Sequence, residues 1–384
     1  YARRPLDGTP SRTATGGVIP DGGVLQGDGL LIDDNRTYDL TLSAAQPLDS
    51  PATLTTGPQT RPFVRLAGTA PTLQPTAIDA QLMIDGGWYA AQVQEDGSGT
   101  GDPADLTIEG AAGADPGDFD FDRVEIRFAT LDPGGTRADG IVIPPLRLRI
   151  AARIRTLVIR NAITSTIWVE DAGAGDPSVV DEIVVCRSIV DATQVSDRAA
   201  ITNPFGRVTL EESTVFGNID ALRLDANASI VAGRIRVTNN QEGCFRFSAT
   251  QDARGRRLPP AFRSYIGPIP AGFFNARRFG DPLYAQLSPL ALPLATGAEN
   301  GSEMGVFSHL LTPIKLASIR AKVDEFGPVG QLAQYLFADD PVLDAPFDGD
   351  AGFVEPPEFE PPTPPDPGAP IPEPPAPPAP PLPT

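Results

Sequence analysis

Short runs of alternating apolar and polar residues recur at a nearly constant spacing through the middle of this chain. Four of their apolar positions, Ile159, Val185, Leu210 and Val237, follow one another at intervals of 26, 25 and 27 residues, with Leu224 inside the last interval. Alternation with a period of two is typical of β-strands, and a fixed period of this length indicates repeats that bury apolar positions against one another. The recurrence therefore predicts strands stacked along one axis.

Nine such runs lie between residues 63 and 237, separated by turn-forming Gly, Asp, Asn or Pro residues. The apolar residues of this region almost never follow a helical spacing, so the runs are predicted to be strands. They occupy residues 63–66, 81–84, 123–126, 146–150, 156–159, 182–185, 207–210, 221–224 and 234–237.

Several runs are followed by a small residue, one further residue and then a branched apolar residue. Residues 188–190, 213–215 and 229–231 show this pattern, and residues 129–131 show a looser form. The small residue would fit inside a tight bend, and the branched residue would stack on its equivalents in neighbouring repeats. Four corner asparagines tolerate left-handed backbone conformations and can bond locally: Asn161, Asn203, Asn218 and Asn227.

These patterns predict an all-β chain built around a right-handed parallel β-helix, which is one form of solenoid. The β-helix is assigned to residues 62–250, and residues 1–61 to an N-terminal irregular segment or cap. Residues 251–338 are assigned to a C-terminal capping or docking region of loops and helix, and residues 339–384 to a tail. A β-sandwich is the alternative, but no tight Asn-Gly or Asp-Gly hairpin joins neighbouring strands of the repeat region.

The C-terminal region departs from the strand pattern. Residues 314–326 are predicted to form a helix, because Leu316, Ile319, Val323 and Phe326 fall roughly on one stripe and Gly-Pro follows. The stripe is expected to dock on the end or side of the solenoid, with a second short helix at residues 329–337.

The acidic tail, residues 339–384, is separated from the rest by its composition. It contains ten acidic residues and no basic one, and residues 355–384 contain 16 prolines. Such a segment cannot bury enough apolar surface to fold, so it is predicted to be disordered and extended. We interpret it as a spacer, with a recognition arm as the alternative.

Composition excludes several classes of function. The formal net charge of −19 argues against a nucleic-acid partner, whose phosphates require Lys and Arg. The one histidine, His309, excludes a site with two or three histidine ligands, and two cysteines cannot form a disulfide framework. Burial of the Cys186 and Cys244 thiols is expected, and their redox state stays open. No run of apolar residues is long enough to span a membrane.

Four strings between residues 243 and 326 resemble a known group of proteins. They are residues 243–248 (GCFRFS), 277–288 (RRFGDPLYAQLS), 297–307 (GAENGSEMGVF) and 313–326 (PIKLASIRAKVDEF). They are similar to a bacterial family of right-handed parallel β-helix proteins that are often encoded beside genes for phage-tail-like contractile injection particles. The resemblance implies a β-helix and a role in a tail-like assembly, and it supplies no catalytic residues.

Arg277, Arg278, Asp281 and Tyr284 form the densest polar and aromatic cluster of the sequence. Arg and Tyr are effective anchors at protein interfaces, so the cluster is a candidate docking surface. The alternative is an ion pair that holds the C-terminal cap to the solenoid.

Other residues could carry chemistry, but a structural interpretation is favoured for each. Carboxylates at Asp181, Glu182, Asp191, Glu211 and Glu212 form no aligned acidic pair of the kind that glycoside hydrolysis needs. The acidic string at residues 118–122 resembles the start of a Ca²⁺ loop, but alternating Phe residues favour a strand with its polar residues outward. Corner aromatics are expected at Trp88 and Tyr89, where a sugar-stacking platform is the alternative, and a packed or surface histidine at His309.

The sequence therefore predicts no catalytic residue, no cofactor and no bound metal. The expected function is that of a non-enzymatic structural or binding component of a phage-tail-like injection particle or surface assembly. Its partners would be other proteins of the assembly, and its location particle-associated or extracellular. A carbohydrate-binding or polysaccharide-cleaving β-helix is the alternative, because solenoid faces can present Asp, Glu and Arg to a sugar chain.

Overall fold

The computed structural model describes most of the chain up to residue 326. The described residues are 12–20, 29–44, 47–67, 71–92, 103–115, 117–136, 141–170, 178–195, 199–252 and 255–326. They all belong to one compact unit, Tyr1–Phe353. The predicted tail at residues 339–384 and the predicted second short helix at residues 329–337 lie outside the described residues.

Within this described part, strands dominate and helices are few. The strands are β1 (Arg12–Ala14), β2 (Gly29–Ile32), β3 (Thr37–Thr41), β4 (Ala52–Thr56), β5 (Phe63–Ala67), β6 (Thr72–Leu73), β7 (Ala80–Asp85), β8 (Trp88–Ala91), β9 (Ala104–Glu109), β10 (Phe121–Arg127), β11 (Thr130–Leu131), β12 (Gly135–Thr136), β13 (Val142–Ile143), β14 (Leu146–Ala151), β15 (Arg153–Arg160), β16 (Ile163–Thr164), β17 (Ile167–Val169), β18 (Val179–Cys186), β19 (Ile189–Asp191), β20 (Ile201–Glu211), β21 (Thr214–Phe216), β22 (Ile219–Asn227), β23 (Ile230–Val231), β24 (Ile235–Val237), β25 (Gly243–Arg246), β26 (Ala249–Thr250), β27 (Ala261–Phe262) and β28 (Tyr265–Ile266). The α-helices are α1 (Leu292–Ala295) and α2 (Thr312–Phe326), and 3-10 turns span Ala271–Phe273 and Ser308–Leu310.

Parallel pairing joins these strands into three ladders. The first ladder contains β1, β2, β4, β7, β10, β15, β18, β20, β22, β25 and β27. The second ladder contains β3, β5, β8, β11, β16, β19, β21, β23, β26 and β28. The third ladder contains β6, β9, β14, β17, β20, β22 and β24. The strands β20 and β22 belong to two ladders, because their N-terminal parts pair in the third and their C-terminal parts in the first.

From β4 to β24 the chain visits the first, second and third ladders in that order and then returns to the first. Its one departure is the short antiparallel pair of β12 and β13, inserted between β11 in the second ladder and β14 in the third. The predicted all-β class with long parallel sheets is therefore confirmed. All nine predicted runs lie in strands, although the last strand begins at Ile235.

The repeat spacing is confirmed in part. Ile159 pairs with Val185, and Val185 pairs with Leu210, as the 26- and 25-residue intervals predict. The third step is wrong, because Leu210 pairs with Ala226, and Val237 lies in the third ladder opposite Ala221. The repeat shortens here because only two residues separate β21 from β22, whereas nine separate β19 from β20.

The core consists of apolar side chains from alternate strand positions. One column runs through Leu157, Ile183, Val208 and Leu224, which are paired in register across four strands of the first ladder. None of these four side chains is exposed to solvent. Burying each such side chain contributes about 1.5–3 kcal/mol, so each strand depends on its neighbours in the ladder for stability.

At each corner, the small residue that was predicted is preceded by a residue whose backbone lies in the left-handed region. The left-handed residues, with φ between 45° and 51°, are Phe128, Asn161, Arg187, Glu212, Ala228, Phe247 and Arg263. Of the four corner asparagines only Asn161 is among them, so that prediction is wrong for Asn203, Asn218 and Asn227. Asn203 and Asn218 are instead buried, and Asn218 accepts a hydrogen bond from the Arg234 amide at 2.7 Å.

Serines form a column at this corner. Ser188, Ser213, Ser229 and Ser248 are fully buried, and Ser264 follows at the end of the column. The hydroxyl of Ser213 donates to the Glu211 carbonyl at 2.8 Å and accepts from the Ser188 amide at 3.3 Å. The same contacts recur up to Ser264, so the buried polar groups of the bend bond to the next repeat.

The ladders extend beyond the predicted limits of 62 and 250. The strand β1 pairs in parallel with β2, β3 pairs with β5, and β27 and β28 continue the first and second ladders past residue 250. These strands are short and rich in Thr, Arg or aromatic residues, which conceals their alternation in the sequence.

A C-terminal segment, residues 268–311, covers the outer face of the second ladder. Its apolar residues Phe274, Leu294 and Met304 share a buried cluster with Phe216 and Ile230 of the second ladder. Gly305 approaches closely enough for its amide to donate to the Ala228 carbonyl at 2.8 Å. A Cβ at Gly305, where φ is 93°, would lie 2.7 Å from the Thr214 hydroxyl, so only glycine fits. The segment therefore lies over the outer side of the second ladder.

The helix predicted at 314–326 is confirmed as α2, but its docking is not. The side chains of Ile319, Val323 and Phe326 are exposed by 47%, 38% and 79%. These three members of the expected apolar stripe are therefore exposed and not buried in an interface. Local helix propensity and the proline that follows Thr312 in the first turn favour this helix. The periodic spacing of its apolar residues did not indicate where the helix packs.

Candidate functional site

The outward faces of the ladders carry ion pairs between neighbouring repeats. Arg127 contacts Asp85 at 2.7 Å, Arg147 contacts Asp105 at 2.6 Å, and each pair joins residues opposite one another in register. The pairs Arg65–Asp39 and Arg236–Asp220 have the same arrangement. A guanidinium is a planar fork that matches a carboxylate, which explains why all but two of the 30 basic residues are arginine.

The five candidate carboxylates are not brought together as a catalytic pair. Glu212 pairs with Arg187 at 2.7 Å, and Glu182 accepts a hydrogen bond from Thr209 at 2.9 Å. The side chains of Asp181 and Glu211 are exposed, whereas Asp191 is buried. Glu182, Glu212 and Asp191 thus each bond to a different partner, and none of these bonds joins two of the five carboxylates.

Asp191 lies where the second ladder meets the C-terminal segment. Its carboxylate accepts a hydrogen bond from the Tyr284 hydroxyl at 2.6 Å and two from Thr193, at 2.9 Å from the amide and 2.6 Å from the hydroxyl. Burial raises the pKa of Asp191 against the effect of these donors, and it raises the pKa of Tyr284 well above its ordinary value. The Tyr284–Asp191 bond thus ties the C-terminal segment to β19.

Arg277 belongs to the same contact. Its guanidinium lies 5.2 Å from the ring centre of Phe216, and its charge favours the ionised form of Asp191. Burial lowers the pKa of Arg277 from its ordinary value. The side chain is only 7% exposed, so Arg277 faces the ladder and not the solvent.

The four residues of the predicted docking surface therefore do not form one exposed surface. Arg277 and Tyr284 are buried, Arg278 is exposed, and Asp281 is half-buried. Asp281 accepts a hydrogen bond from the Leu283 amide at 2.8 Å, which stabilises the local turn. Tyr284 instead contacts Asp191, which the sequence indicated only as a candidate catalytic carboxylate.

Trp88 makes a second polar contact under the C-terminal segment. Its indole Nε1 donates to Asp132 at 2.9 Å, and its ring packs edge-on against Phe63 and Phe279 at 5.3 and 5.6 Å between ring centres. Tyr89 is 1% exposed and belongs to the core. Trp88 packs against two rings and is nevertheless partly exposed, so Trp88 and Tyr89 do not form one exposed pair of rings.

Two carboxylates of the acidic string at residues 118–122, those of Asp120 and Asp122, already bond to other groups of the chain. Asp120 is buried and accepts hydrogen bonds from the amides of Ala111 and Arg153, at 2.7 and 2.8 Å. Asp122 pairs with Arg155 at 3.0 Å. The string precedes and begins β10, and Asp120 points inward instead of outward as predicted. Among the residues that the structure describes, no cluster of His, Cys, Asp and Glu could hold a metal ion.

The two cysteines and the histidine differ in their exposure. Cys186 is buried and its pKa is raised by that burial, which disfavours the thiolate. Cys244 is half-buried, and both thiols are free. His309 is exposed on the turn Ser308–Leu310.

A cavity of about 320 Å³ lies within the C-terminal segment and the first residues of α2. Sequence reasoning did not find it, because its walls come from separated stretches with no common motif. Its lining residues are Asn275, Gln286, Leu287, Ser288, Pro289, Ala295, Glu303, Phe307, Leu310, Thr312 and Pro313. Glu303 is 8% exposed, burial raises its pKa, and the Thr312 side chain donates a hydrogen bond to it. The cavity thus combines one buried carboxylate with mainly apolar walls.

Comparison with known proteins adds no relative. No protein-family model, no curated protein and no solved structure matches the chain. In the described part of the chain, no helix has the length and apolar content to cross a membrane.

Proposed function

We propose that the chain is a right-handed parallel β-solenoid that serves as a non-enzymatic structural or binding component of a phage-tail-like or surface assembly. The observation that carries this proposal is the cyclic order in which the chain visits the three parallel ladders from β4 to β24. Parallel strands joined by such crossovers wind in a right-handed sense in nearly all proteins. A solenoid of this kind is rigid and presents long lateral faces to partners.

The charge pattern of the faces supports a structural role. Carboxylates on neighbouring repeats are paired with arginines in register, as in Arg127–Asp85 and Arg147–Asp105. A paired carboxylate is a poor general acid or base, because its charge is compensated and its geometry is fixed. A site for glycoside hydrolysis would instead need two carboxyl groups facing one groove.

The assembly proposal is also supported by where the resembling strings lie. Residues 243–248 include β25 at the C-terminal end of the first ladder, and residues 277–288 and 297–307 belong to the C-terminal segment. The exposed side of that segment, which includes Arg278, is the proposed contact with a protein of the assembly. Arg277 and Tyr284 would support this contact from beneath.

Purification of the tagged chain from the organism that produces it tests this proposal. We expect a defined particle with stoichiometric protein partners identified by mass spectrometry. Arg278→Ala should reduce the recovery of those partners, whereas Arg263→Ala, which changes another exposed arginine at a ladder corner, should not. Recovery of the chain alone, or equal recovery with both variants, would contradict the assembly or its proposed contact.

A carbohydrate-binding protein is the second candidate, and the cavity near Glu303 favours it. Sugar sites commonly combine hydrogen-bonding groups with an aromatic wall, and Asn275, Gln286, Glu303 and Phe307 provide these groups. The described lining contains one carboxylate, so this candidate is a binding protein in preference to a hydrolase. Incubation with soluble polysaccharides, followed by assays for binding and for reducing ends, separates binding from cleavage.

A further inference from the structure

Four acidic side chains of the described residues are more than nine-tenths buried, and Glu303 differs from the other three. Asp120 and Asp132 each accept two hydrogen bonds, and Asp191 accepts three. For Glu303 the described residues provide one donor, the Thr312 side chain, and no cation contributes to its pKa. Glu303 is thus the buried acid of this set with the least compensation.

Glu303 also differs in its position, because it lines the cavity of about 320 Å³. An ionised carboxylate can accept about four hydrogen bonds, and the Thr312 side chain provides one of them. The Glu303 carboxylate in the cavity wall can therefore accept further hydrogen bonds from a ligand with N–H donors.

The remaining walls indicate what kind of donor fits. Leu287, Pro289, Phe307, Leu310 and Pro313 make most of the lining apolar. A lysine or arginine side chain has a matching structure, with an apolar stem and a charged head that forms charge-assisted hydrogen bonds. The volume is near the lower end of the roughly 300–1,000 Å³ of ligand pockets, which suits one side chain.

The surroundings of the cavity are suited to a protein partner. Leu290 and Leu292, which follow Pro289 in the chain, are 71% and 74% exposed, and Ile314, which follows Pro313, is 52% exposed. Exposed apolar residues around a polar anchor are typical of protein interfaces. The net charge of −19 would attract a basic partner.

We propose that the cavity at Glu303 binds a lysine or arginine side chain of a partner protein. The inference rests on the proposed function only in taking the ligand to be part of a protein. The competing structural explanation is that Glu303 serves α2 alone, by accepting the Thr312 hydroxyl at the N-terminal end of that helix.

Small probes of the intact chain separate these explanations. Nα-acetyl-lysine methylamide and Nα-acetyl-arginine methylamide carry the cation, whereas Nα-acetyl-norleucine methylamide has an apolar stem without charge. Methyl α-glucopyranoside represents a sugar. The chain has two methionines, so ¹³C-methyl NMR gives one reporter beside Glu303, Met304, and one distant control on β7, Met83.

We expect the two cationic probes to shift the Met304 signal saturably, without moving Met83, and norleucine to have a much weaker effect. Glu303→Gln should weaken cation binding by about tenfold or more, because the charge-assisted bond is lost. Glu299→Gln makes the same change at an exposed glutamate four residues away and should leave binding unchanged. Binding should also weaken as the pH falls through the raised pKa of Glu303, since the neutral acid no longer attracts a cation.

Several results would overturn the proposal. Equal shifts with norleucine would mean an apolar pocket without a cation site, and a shift with the glucoside alone would favour the sugar. No shift with any probe would leave Glu303 with its role at α2. The comparison of lysine with norleucine uses the unaltered chain, so it does not depend on a variant folding. A failure here leaves the assembly proposal intact, because partners can copurify through other surfaces, and a failure of copurification leaves the probe result intact.

Discussion

Replacing Tyr284 by Phe tests the contact that holds the C-terminal segment to the second ladder. The change removes one hydroxyl, which donates to buried Asp191 at 2.6 Å. The ring stays and keeps its packing with Phe216 and Phe279, so no cavity is created. The perturbation is therefore confined to one hydrogen bond with a carboxylate.

The magnitude follows from the remaining partners of Asp191. A hydrogen bond to a charged group contributes about 1.5–3 kcal/mol, and Thr193 still donates twice to the carboxylate. We expect a loss of about 2 kcal/mol in the free energy of unfolding. For a folded unit of this size, with an unfolding entropy of roughly 2.1 cal/mol/K per residue, the melting midpoint should fall by about 3 °C.

The loss should depend on pH. Burial raises the pKa of Asp191, and the Tyr284 hydroxyl opposes that shift, so Tyr284→Phe should raise the pKa of Asp191 further. The stabilising effect of the hydroxyl on the carboxylate is present above this raised pKa and declines as the pH falls through it. The difference between the two proteins should therefore be larger at about pH 8 than at about pH 4.

Differential scanning calorimetry at both pH values measures these differences. The matched control is Tyr265→Phe, whose hydroxyl donates to the Pro268 carbonyl at 3.0 Å on the surface, where water can replace it. The control should change stability by less than about 0.5 kcal/mol. Equal losses for Tyr284→Phe and Tyr265→Phe would refute the reasoning, and so would a loss at Tyr284 that is the same at both pH values.

Three further changes test the remaining features. Ile183→Ala, in a fully buried column, should reduce the free energy of unfolding by about 2–5 kcal/mol, whereas Ile319→Ala, on the exposed side of α2, should change it by less than about 0.5 kcal/mol; equal effects in urea titrations would mean that α2 is docked. Ser213→Ala, inside the serine column, should cost about 1–3 kcal/mol and more than Ser264→Ala at the column's end; the reverse order would contradict the column. Glu303→Gln should raise the melting midpoint near neutral pH, with a gain that declines as the pH falls through the raised pKa of Glu303 and is lost below the ordinary pKa of a glutamate, where the acid is neutral in the folded and unfolded chain alike; a lower midpoint at neutral pH would show that its charge is compensated.

The strands could be predicted from the sequence because alternate residues of each strand point into one core. Leu157, Ile183 and Val208 are paired in register and are all of the type that alternation detects. Ala226 occupies the position after Leu210 in the first ladder, but its side chain is too small to mark a repeat. The apolar run ending at Val237 therefore continues the spacing in the sequence, although it belongs to the third ladder.

The left-handed corners could not be predicted from the residues that adopt them. Phe128, Arg187 and Glu212 have no intrinsic preference for positive φ, which costs such residues of the order of 1 kcal/mol. The conformation persists because backbone bonds to the next repeat fix it, as when the Arg187 amide donates to the Glu211 carbonyl at 2.9 Å. The local signal was the small residue that follows, such as Ser188, and not an asparagine.

The C-terminal segment shows why a docking surface and an internal contact have the same appearance in a sequence. Arg and Tyr are enriched at interfaces because they combine apolar area with directed hydrogen bonds, and the same physics applies when both surfaces belong to one chain. Tyr284 and Asp191 are 93 residues apart, so no spacing rule connects them. Since Arg277 and Tyr284 already serve this internal interface, the proposed partner contact is assigned to the outer side of the segment. Arg278 is exposed there, and Leu290 and Leu292 lie near the cavity of Glu303.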